Sequence, residues 1–168
     1  ILKSVKITAG AILAILFASC LNLKYSATAG IITILSIQNT KKETIQTALA
    51  RGEAFCCALL VSFLCYNFFG YTTAAFGIYL LIFTTLCLTM KWSSAIAMDS
   101  VLITHFLAEK TMNIPMITNE ISLFVIGAGI GVLLNLSLRP KENEWKNKMA
   151  EADESIRAII KRMAENCL

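Results

Sequence analysis

The sequence predicts an all-α membrane protein, with a bundle of about six short transmembrane helices followed by a cytoplasmic amphipathic helix. Hydrophobic residues make up 57% of the 168 residues and charged residues only 15%, and the mean hydropathy is +0.68. An ordinary soluble domain is about 45 to 50% apolar and about 25% charged. The apolar residues also form continuous runs, whereas the strands of a membrane barrel alternate apolar and polar residues. Lipid is therefore the expected solvent of this chain.

Six apolar runs give the candidate helices. In chain order they extend from about Val5 to Leu21, Tyr25 to Gln38, Ala54 to Phe69, Tyr71 to Met90, Trp92 to Ala108 and Ile117 to Leu138. Several are near the short end of the roughly 17 to 25 residues that a spanning helix needs, and the second is shorter. We therefore expect short helices. The uncharged segment 67–72 suits a tight turn, and Pro115 is expected in a longer loop.

The placement of Lys and Arg predicts the orientation, because these residues favour cytoplasmic loops. With the amino end inside, only Lys24 and Lys110 fall in outer loops. The inner positions then hold Lys3, Lys6, Lys41, Lys42, Arg51, Lys91, Arg139 and Lys141. A multi-pass protein of the bacterial cytoplasmic membrane follows, with both termini in the cytoplasm.

Small residues at steps of four predict close helix packing, because they let two backbones approach each other in lipid. The residues concerned are Gly10, Ala14 and Ala18 in the first run and Gly127 and Gly131 in the last. Contacts within one chain are the preferred interpretation, and an oligomer seam is the alternative. The Gly127 to Gly131 segment also resembles a dinucleotide loop, but the fingerprint requires Gly where the chain has Val132.

Composition also argues against several other classes of site. The six cysteines are scattered along apolar runs without CxxC spacing, so we expect no metal site, no disulfide framework and no cofactor. The net charge of +4 comes from basic residues that flank the apolar runs instead of forming one patch with aromatic residues. No nucleic-acid partner is expected.

The composition changes sharply after Pro140, which predicts a membrane domain at 1–140 and a cytoplasmic helix at 141–168. Apolar residues recur there at steps of four, three, four, three and four on a charged background. This stripe consists of Trp145, Met149, Ala152, Ile156, Ile159 and Met163. It could pack on a partner helix, on its own copy or on the membrane surface. The mixture of acidic and basic residues favours helix packing over lipid binding.

The stretch from Ala27 to Arg51 resembles the hairpin typical of the aromatic acid exporter family, member 1 type, which is related to the fusaric acid resistance type of transporter. In that family a Gly-containing helix ends in Leu-Ser-x-Gln-x-Thr, a short basic link follows, and an Arg opens the next helix. The matching residues here are Leu35, Ser36, Gln38, Thr40, Lys41, Lys42 and Arg51. The resemblance covers roughly Lys3 to Pro140.

The chain departs from the family pattern at two places. These departures bear on helix packing and on the substrate more than on the fold. Asn39 stands where the family often has Pro, and Glu53 and the Cys56-Cys57 pair stand where it has small residues. The resemblance implies an exporter of aromatic carboxylic acids. It also implies a further cytoplasmic domain, of which residues 141–168 would be the opening helix.

Asp99 is the first candidate for a transport role. It lies about seven residues from the inner end of the fifth run, roughly 10 Å deep at 1.5 Å per residue. A buried acid in a membrane helix is expected to be functional, here as a proton carrier, although it could instead join two helices by hydrogen bonds. His105 is rotated about 120° from Asp99, so a direct dyad is not expected. His105 can pair with Glu109, four residues on, near the outer mouth.

Gln38, Thr40 and Arg51 are expected at the inner ends of the second and third helices. An arginine there could hold a substrate carboxylate through two parallel hydrogen bonds. Alternatively, Arg51 could bond the carbonyl groups that end the second helix, with Gln38 and Thr40 as polar caps. Both interpretations place these residues at the cytoplasmic entrance.

These observations lead to the hypothesis of a secondary transporter that exports small aromatic carboxylic acids, with a proton gradient as driving force. Its partners would be membrane lipids, the organic anion and a second copy of the chain, since one six-helix bundle is small for alternating access. A membrane-anchored scaffold or sensor for a cytoplasmic domain is the alternative. An intramembrane enzyme that uses Asp99 and His105 is disfavoured, because a second paired acid, HExxH and GxSxG are lacking; we therefore expect no enzyme.

Overall fold

A computed structural model describes residues 2–37, 41–137, 148–157 and 159 of the chain. All regular secondary structure in these residues is helical, which confirms the predicted all-α class. The chain divides into two compact units, Ile1–Leu138 and Arg139–Leu168. The first unit contains the helices α1 (Leu2–Cys20), α2 (Ala27–Leu35), α3 (Lys41–Phe69), α4 (Thr73–Thr89), α5 (Ile96–Glu109) and α6 (Ile114–Ser137).

The first unit has two adjoining hydrophobic cores. Helices α1, α2 and α6 pack together around a core that includes Ala14, Ala18, Ala29, Ile32 and Leu123. Helices α3, α4 and α5 pack around a second core that includes Ala54, Ala58, Tyr79, Phe83 and Phe106. Helices α3 and α5 contribute to both cores and so join the two halves. Phe55, Met98 and Leu102 are their contributions to the first core.

The distribution of side chains differs from that of a water-soluble protein. Arg51, Asp99, His105 and Glu120 are buried with the apolar core, whereas many large apolar side chains are exposed on the long helices. The exposed apolar residues include Leu13, Phe17, Leu60, Phe68, Leu81 and Leu133. Continuous apolar surface of this kind marks an interaction with lipid or protein rather than with water. Asp99 and Glu120 are among the ionisable residues that lie in the interior.

Two segments of the described residues have the length and hydropathy of a membrane-crossing helix, Ile45–Phe69 in α3 and Ile114–Leu136 in α6. Two further apolar helices, Ser4–Cys20 and Thr73–Thr89, are shorter. Helices α2 and α5 contain only 9 and 14 residues. A topology with six crossings therefore remains a prediction.

Helix α3 differs most from its sequence-based prediction, because it begins at Lys41 and not near Ala54. The intervening segment contains Gln46, Ala48 and Leu49, which favour helix, and it contains no glycine or proline before Gly52. Hydropathy marks where a helix becomes apolar, which need not be where it starts. The prediction that Arg51 opens the third helix is therefore wrong, since Arg51 lies well inside it.

Two other helix boundaries also differ. Helix α5 begins at Ile96, after a turn in which the backbone N–H of Ala95 donates to the carbonyl of Trp92 at 2.8 Å. Asp99 consequently lies in the first turn of α5 and not seven residues into a helix. Pro115 lies in the first turn of α6 and not in the preceding loop. This position suits proline, because the first N–H groups of a helix have no partner within the helix.

The paired glycines of α6 lie directly against α2. A Cβ atom at Gly127 would lie 2.6 Å from Cβ of Ile32 and 2.7 Å from the carbonyl oxygen of Ala29. A Cβ atom at Gly131 would lie 2.5 Å from Cβ of Ser36. The Thr33 hydroxyl donates across the same contact to the Gly127 carbonyl at 3.0 Å. The GxxxG face is thus a contact within the chain.

The small residues of α1 are also in contact within the chain. Ala14 and Ala18 are fully buried in the core that α1 shares with α2 and α6. A Cβ atom at Gly10 would overlap the side chain of Leu134 in α6. Gly10 therefore leaves room for the side chain of Leu134 where α1 meets α6.

In the second unit, residues 148–157 are helical. Asp153 and Arg157 form an ion pair at 3.1 Å, four residues apart on this helix. The apolar residues of the predicted stripe that the structure describes, Met149, Ala152, Ile156 and Ile159, are exposed. Trp145 and Met163 lie outside the described residues.

Candidate functional site

The first polar centre of the bundle is formed by Arg51 on α3 and Asp99 on α5. Arg51 is 4% exposed and Asp99 is 0% exposed, and the two charges lie within electrostatic range of each other. The Nη1 atom of Arg51 donates a hydrogen bond to the hydroxyl of Ser36, just after α2, at 3.3 Å. Three helices therefore place their polar groups at one buried point.

Both carboxylate oxygens of Asp99 are buried without a hydrogen-bond partner among the described residues, as is the Nε atom of Arg51. Buried polar atoms are nearly always hydrogen-bonded, so each exception calls for an explanation. The position of Asp99 in the first turn of α5 offers partial compensation, since the positive end of the helix dipole favours a carboxylate. The open donor on Arg51 and the open acceptors on Asp99 leave bonding capacity for a polar ligand.

Other polar groups surround this centre. The hydroxyl groups of Tyr79 and Ser100 are also buried and close to each other, and Tyr79 lies within electrostatic range of Asp99. Gln38 and Thr40, which the sequence analysis placed beside Arg51, lie outside the described residues. The neighbourhood of Asp99 is thus rich in buried polar atoms.

A second polar centre lies between α5 and α6. The Nδ1 atom of His105 is 2.7 Å from the Oε2 atom of Glu120, and the residues are 7% and 0% exposed. The prediction that His105 pairs with Glu109 is therefore wrong. Spacing along one helix suggested that partner, whereas packing of α6 against α5 supplies a closer one.

Three further contacts hold this pair. The hydroxyl of Thr28 on α2 lies 3.4 Å from Nε2 of His105. The ring of Tyr25 stacks on the His105 ring, with 4.0 Å between centroids and 5° between planes. The side-chain amide of Asn119 donates to the other carboxylate oxygen of Glu120 at 3.0 Å.

The loop between α1 and α2 covers this second centre. Asn119 bonds both the backbone N–H and the carbonyl of Lys24, at 2.8 Å and 3.2 Å. The ammonium group of Lys24 lies 3.0 Å from Glu109, and the hydroxyl of Tyr25 donates to Glu109 at 3.3 Å. The hydrogen bond from Lys24 holds the pKa of Glu109 below its ordinary value. The loop is thus fastened to α5 and α6 by polar contacts.

The two centres lie at different depths in the bundle. Asp99 and His105 are six residues apart on α5, which corresponds to roughly 9 Å along the helix axis. Asp99 is in the first turn, whereas His105 is near the end of the helix. Because their side chains are rotated about 120° from one another, the structure does not bring them together as a dyad.

Sequence reasoning overlooked Glu120 and Asn119. The signal was nevertheless present, because Glu120 is an acid within the last apolar run, in the same situation that singled out Asp99. Only packing against His105 shows that it is buried.

Comparisons with known proteins agree with the earlier resemblance. A model of the family described as aromatic acid exporter family member 1 matches residues 2–138. A curated relative from Bacillus subtilis, named "Uncharacterized protein YqjA", is 35% identical over 163 residues. That match covers 95% of this chain but 51% of the relative, so the chain spans about half the length of the relative. No solved structure matches the chain. The family match covers most of the chain, and the chain therefore belongs to the aromatic acid exporter family, member 1.

Proposed function

We propose that this chain is the membrane part of a secondary transporter that exports small aromatic carboxylic acids, with protons moving in the opposite direction. Membership of an exporter family supports the direction of transport and the class of substrate. Buried ionisable residues inside an apolar bundle support a pathway for charged species, because such residues are costly in lipid and usually functional.

The observation that carries the proposal is the open bonding capacity between Arg51 and Asp99. Arg51 can hold the carboxylate of the substrate, since its planar guanidinium matches that group and keeps its charge. Asp99 carries the proton. Because the two move in opposite directions, the anion occupies Arg51 in the outward step and the proton occupies Asp99 in the return step. Neither step forms or breaks a covalent bond of the substrate, so the chain acts as a carrier and not as an enzyme.

The proposed topology has six crossings, with both termini on the cytoplasmic side of a bacterial membrane. Helices α3 and α6 are long enough by themselves. Helix α2, with 9 residues, is only roughly 14 Å long against a hydrocarbon core of about 30 Å. It crosses in this proposal together with its flanking residues, enclosed by α1 and α6, so that few of its polar groups meet lipid.

Efflux from proteoliposomes tests the proposal. Vesicles loaded with radiolabelled benzoate are placed in a more acidic buffer, and its efflux is compared with that from protein-free vesicles. We expect Asp99→Asn to reduce the part of the flux that depends on the pH gradient at least about tenfold, or about 1.4 kcal/mol. Glu53→Gln, at an exposed acid of α3, serves as the matched control. Proton-coupled flux that survives in Asp99→Asn would contradict the assigned role.

A second candidate function is a membrane-anchored sensor or scaffold, which is favoured by the exposed apolar residues of the second unit. In that case Arg51→Gln and Asp99→Asn would leave cellular function unchanged, and removal of residues 141–168 would abolish it. Complementation of a deletion strain with these three variants separates the two functions.

A further inference from the structure

We propose that His105 and Glu120 form a second proton-binding site, closed on its aqueous side by Tyr25 and separate from the Arg51–Asp99 centre. Its part in transport rests on the proposed function, whereas proton binding at this pair does not. Three features carry the inference: the pair is buried, the Nε2 atom of His105 faces a hydroxyl that can follow a change in protonation, and an aromatic side chain covers the pair.

The charge of the pair is the first argument. A neutral imidazole beside a carboxylate leaves one net negative charge in an apolar interior, and the described contacts include no cation that touches Glu120. Addition of one proton gives an imidazolium and a carboxylate, which carry no net charge. A buried pair that is broken or carries a net charge costs free energy. His105 and Glu120 therefore take up and release the proton together, as one pair. The short Nδ1 to Oε2 distance of 2.7 Å fits a charge-assisted hydrogen bond.

The path of the proton follows from the two ring nitrogens. With Nδ1 and Oε2 2.7 Å apart, the proposal places the proton of this hydrogen bond on Nδ1, where it donates to the Glu120 carboxylate and stays. The incoming proton binds the lone pair on Nε2, which faces the Thr28 hydroxyl at 3.4 Å. A hydroxyl can donate to a bare nitrogen or accept from a protonated one, so Thr28 serves both states. The proton leaves by the reverse step, and no covalent bond of the substrate changes.

The cover over the pair is the second argument. Tyr25 lies flat on the His105 ring and has a φ of 58°, in the left-handed region that a non-glycine residue rarely adopts. Such strain persists only where surrounding contacts hold it, often at functional sites. Here the contacts from Tyr25 and Lys24 to Glu109 hold it.

The cover can open without disturbing the core. The side-chain contacts of Tyr25 and Lys24 with Glu109 are exposed and weak, so they can break and let the Tyr25 side chain turn away while the bonds between Asn119 and Lys24 hold the backbone of the loop. The titratable or charged groups that face the pair are Lys24 and Tyr25 from the loop and Glu109 from α5. Helix α2 contributes only the Thr28 hydroxyl, and α6 adds only the Asn119 amide to Glu120 itself. Rotation of the Tyr25 side chain away from the ring would give the Nε2 side of the ring access to water.

The single histidine of the chain makes a direct test possible. The full chain is labelled with ¹⁵N-histidine and placed in lipid nanodiscs without substrate, and its ring nitrogen signals are recorded over the pH range in which flux changes. We expect the Nε2 signal to pass between its bare and protonated positions, in the wild type and in Glu53→Gln. In Glu120→Gln we expect the downfield Nδ1 proton signal to be lost. A ring signal that stays constant over this range overturns the proposal, and this measurement on the wild type does not depend on how any variant folds.

Flux measurements separate this inference from the proposed function. Glu120→Gln should reduce efflux driven by a pH gradient at least tenfold, while exchange of labelled for unlabelled benzoate at equal pH stays within twofold of the wild type. Gradient-driven efflux that persists in Glu120→Gln overturns the role of the pair in transport. If the wild type moves no aromatic acid while its ring signal changes with pH, the proposed function fails and the proton site stands.

Discussion

Arg51 and Asp99 owe their importance to burial more than to residue type. An arginine or an aspartate on a water-exposed helix contributes little to stability, whereas in an apolar interior each charge depends on what faces it. Here the two residues face one another across α3 and α5 without a direct hydrogen bond from Asp99. The charge on each residue therefore changes the free-energy cost of burying the other charge.

A double-mutant cycle tests this dependence. Arg51→Gln removes the positive charge that faces a buried acid, and Asp99→Asn removes the acid. We expect the double variant to lose less stability than the sum of the two single losses, with a coupling of about 1 kcal/mol. The apparent free energy of unfolding in detergent micelles is the measurement. The control cycle combines Arg51→Gln with Gly129→Ala, at a glycine with open space around it, and there the two changes in the free energy of unfolding should add. If they also add for Arg51→Gln with Asp99→Asn, the two charges do not interact.

Glu109 gives a pH-dependent contact at the surface. Its pKa is held below the ordinary value of 4.5 mainly by the hydrogen bond from Lys24. A lowered pKa means that the contact stabilises the loop above pH 4.5 and is lost as the pH falls through the lowered value. The protection factors of the backbone amides at residues 23–25, which compare exchange with the intrinsic rate at the same pH, should therefore fall on acidification through this window. In Glu109→Gln the protection factors should be low at every pH, and a wild-type loop whose protection factors do not change with pH would contradict the assignment.

At the scale of elements, contact between α2 and α6 is set by the absence of side chains. The GxxxG spacing was readable in the sequence, but the partner helix was not, since any helix could have faced it. The structure places Ala29 and Ile32 of α2 there. A backbone carbonyl oxygen cannot move aside as a flexible side chain can. This contact therefore leaves little room for any side chain in place of the glycine.

Substitution of the two neighbouring glycines tests the contact. Gly127→Ala should lower the free energy of unfolding by roughly 1 to 3 kcal/mol, because the new methyl group meets the backbone of α2 and forces the helices apart. Gly129→Ala is the matched control on the same helix, with nothing within 4 Å of its new Cβ atom. Alanine there should leave stability unchanged or raise it slightly, since alanine favours helix. Thermal unfolding of both variants in the same detergent decides; similar losses would contradict a close contact at Gly127.

At the scale of the whole molecule, the exposed apolar residues of the second unit need a partner. Met149 is 71% exposed and Ile156 is 56% exposed on a helix whose other residues are charged, polar or alanine. Combined with the small size of one bundle for alternating access, this favours assembly of at least two copies. We propose the stripe as the seam, because the small-residue faces of α1 and α6 are already used within the chain.

Measurement of the oligomer tests the seam. Crosslinking in mild detergent or in native membranes should give at least a dimer. Met149→Glu combined with Ile156→Glu should reduce the crosslinked fraction several-fold, because each buried apolar side chain contributes about 1.5 to 3 kcal/mol. Replacement of the exposed acid Glu151 by Gln should change little. If the protein is a monomer both in mild detergent and in native membranes, the proposal of assembly is wrong.

The sequence by itself determined the class of fold, the family and the approximate number of helices. It did so because the hydropathy of each run and the Leu35 to Arg51 motif are local properties of the chain. It also identified Asp99, because a charged group in an apolar run is visible without a structure, and Arg51, because it matches the family motif. It misplaced the start of α3 and the first turn of α5, because helix formation does not stop where hydropathy falls.

Only the tertiary structure decided which polar groups meet. His105 has Glu109 one turn away and Glu120 on the next helix, and the choice between them depends on how α5 packs against α6. The stacking of Tyr25 depends in the same way on a left-handed turn that brings the α1–α2 loop over α5. Burial and pairing between helices are properties of packing, and packing is not encoded at any one spacing in the chain.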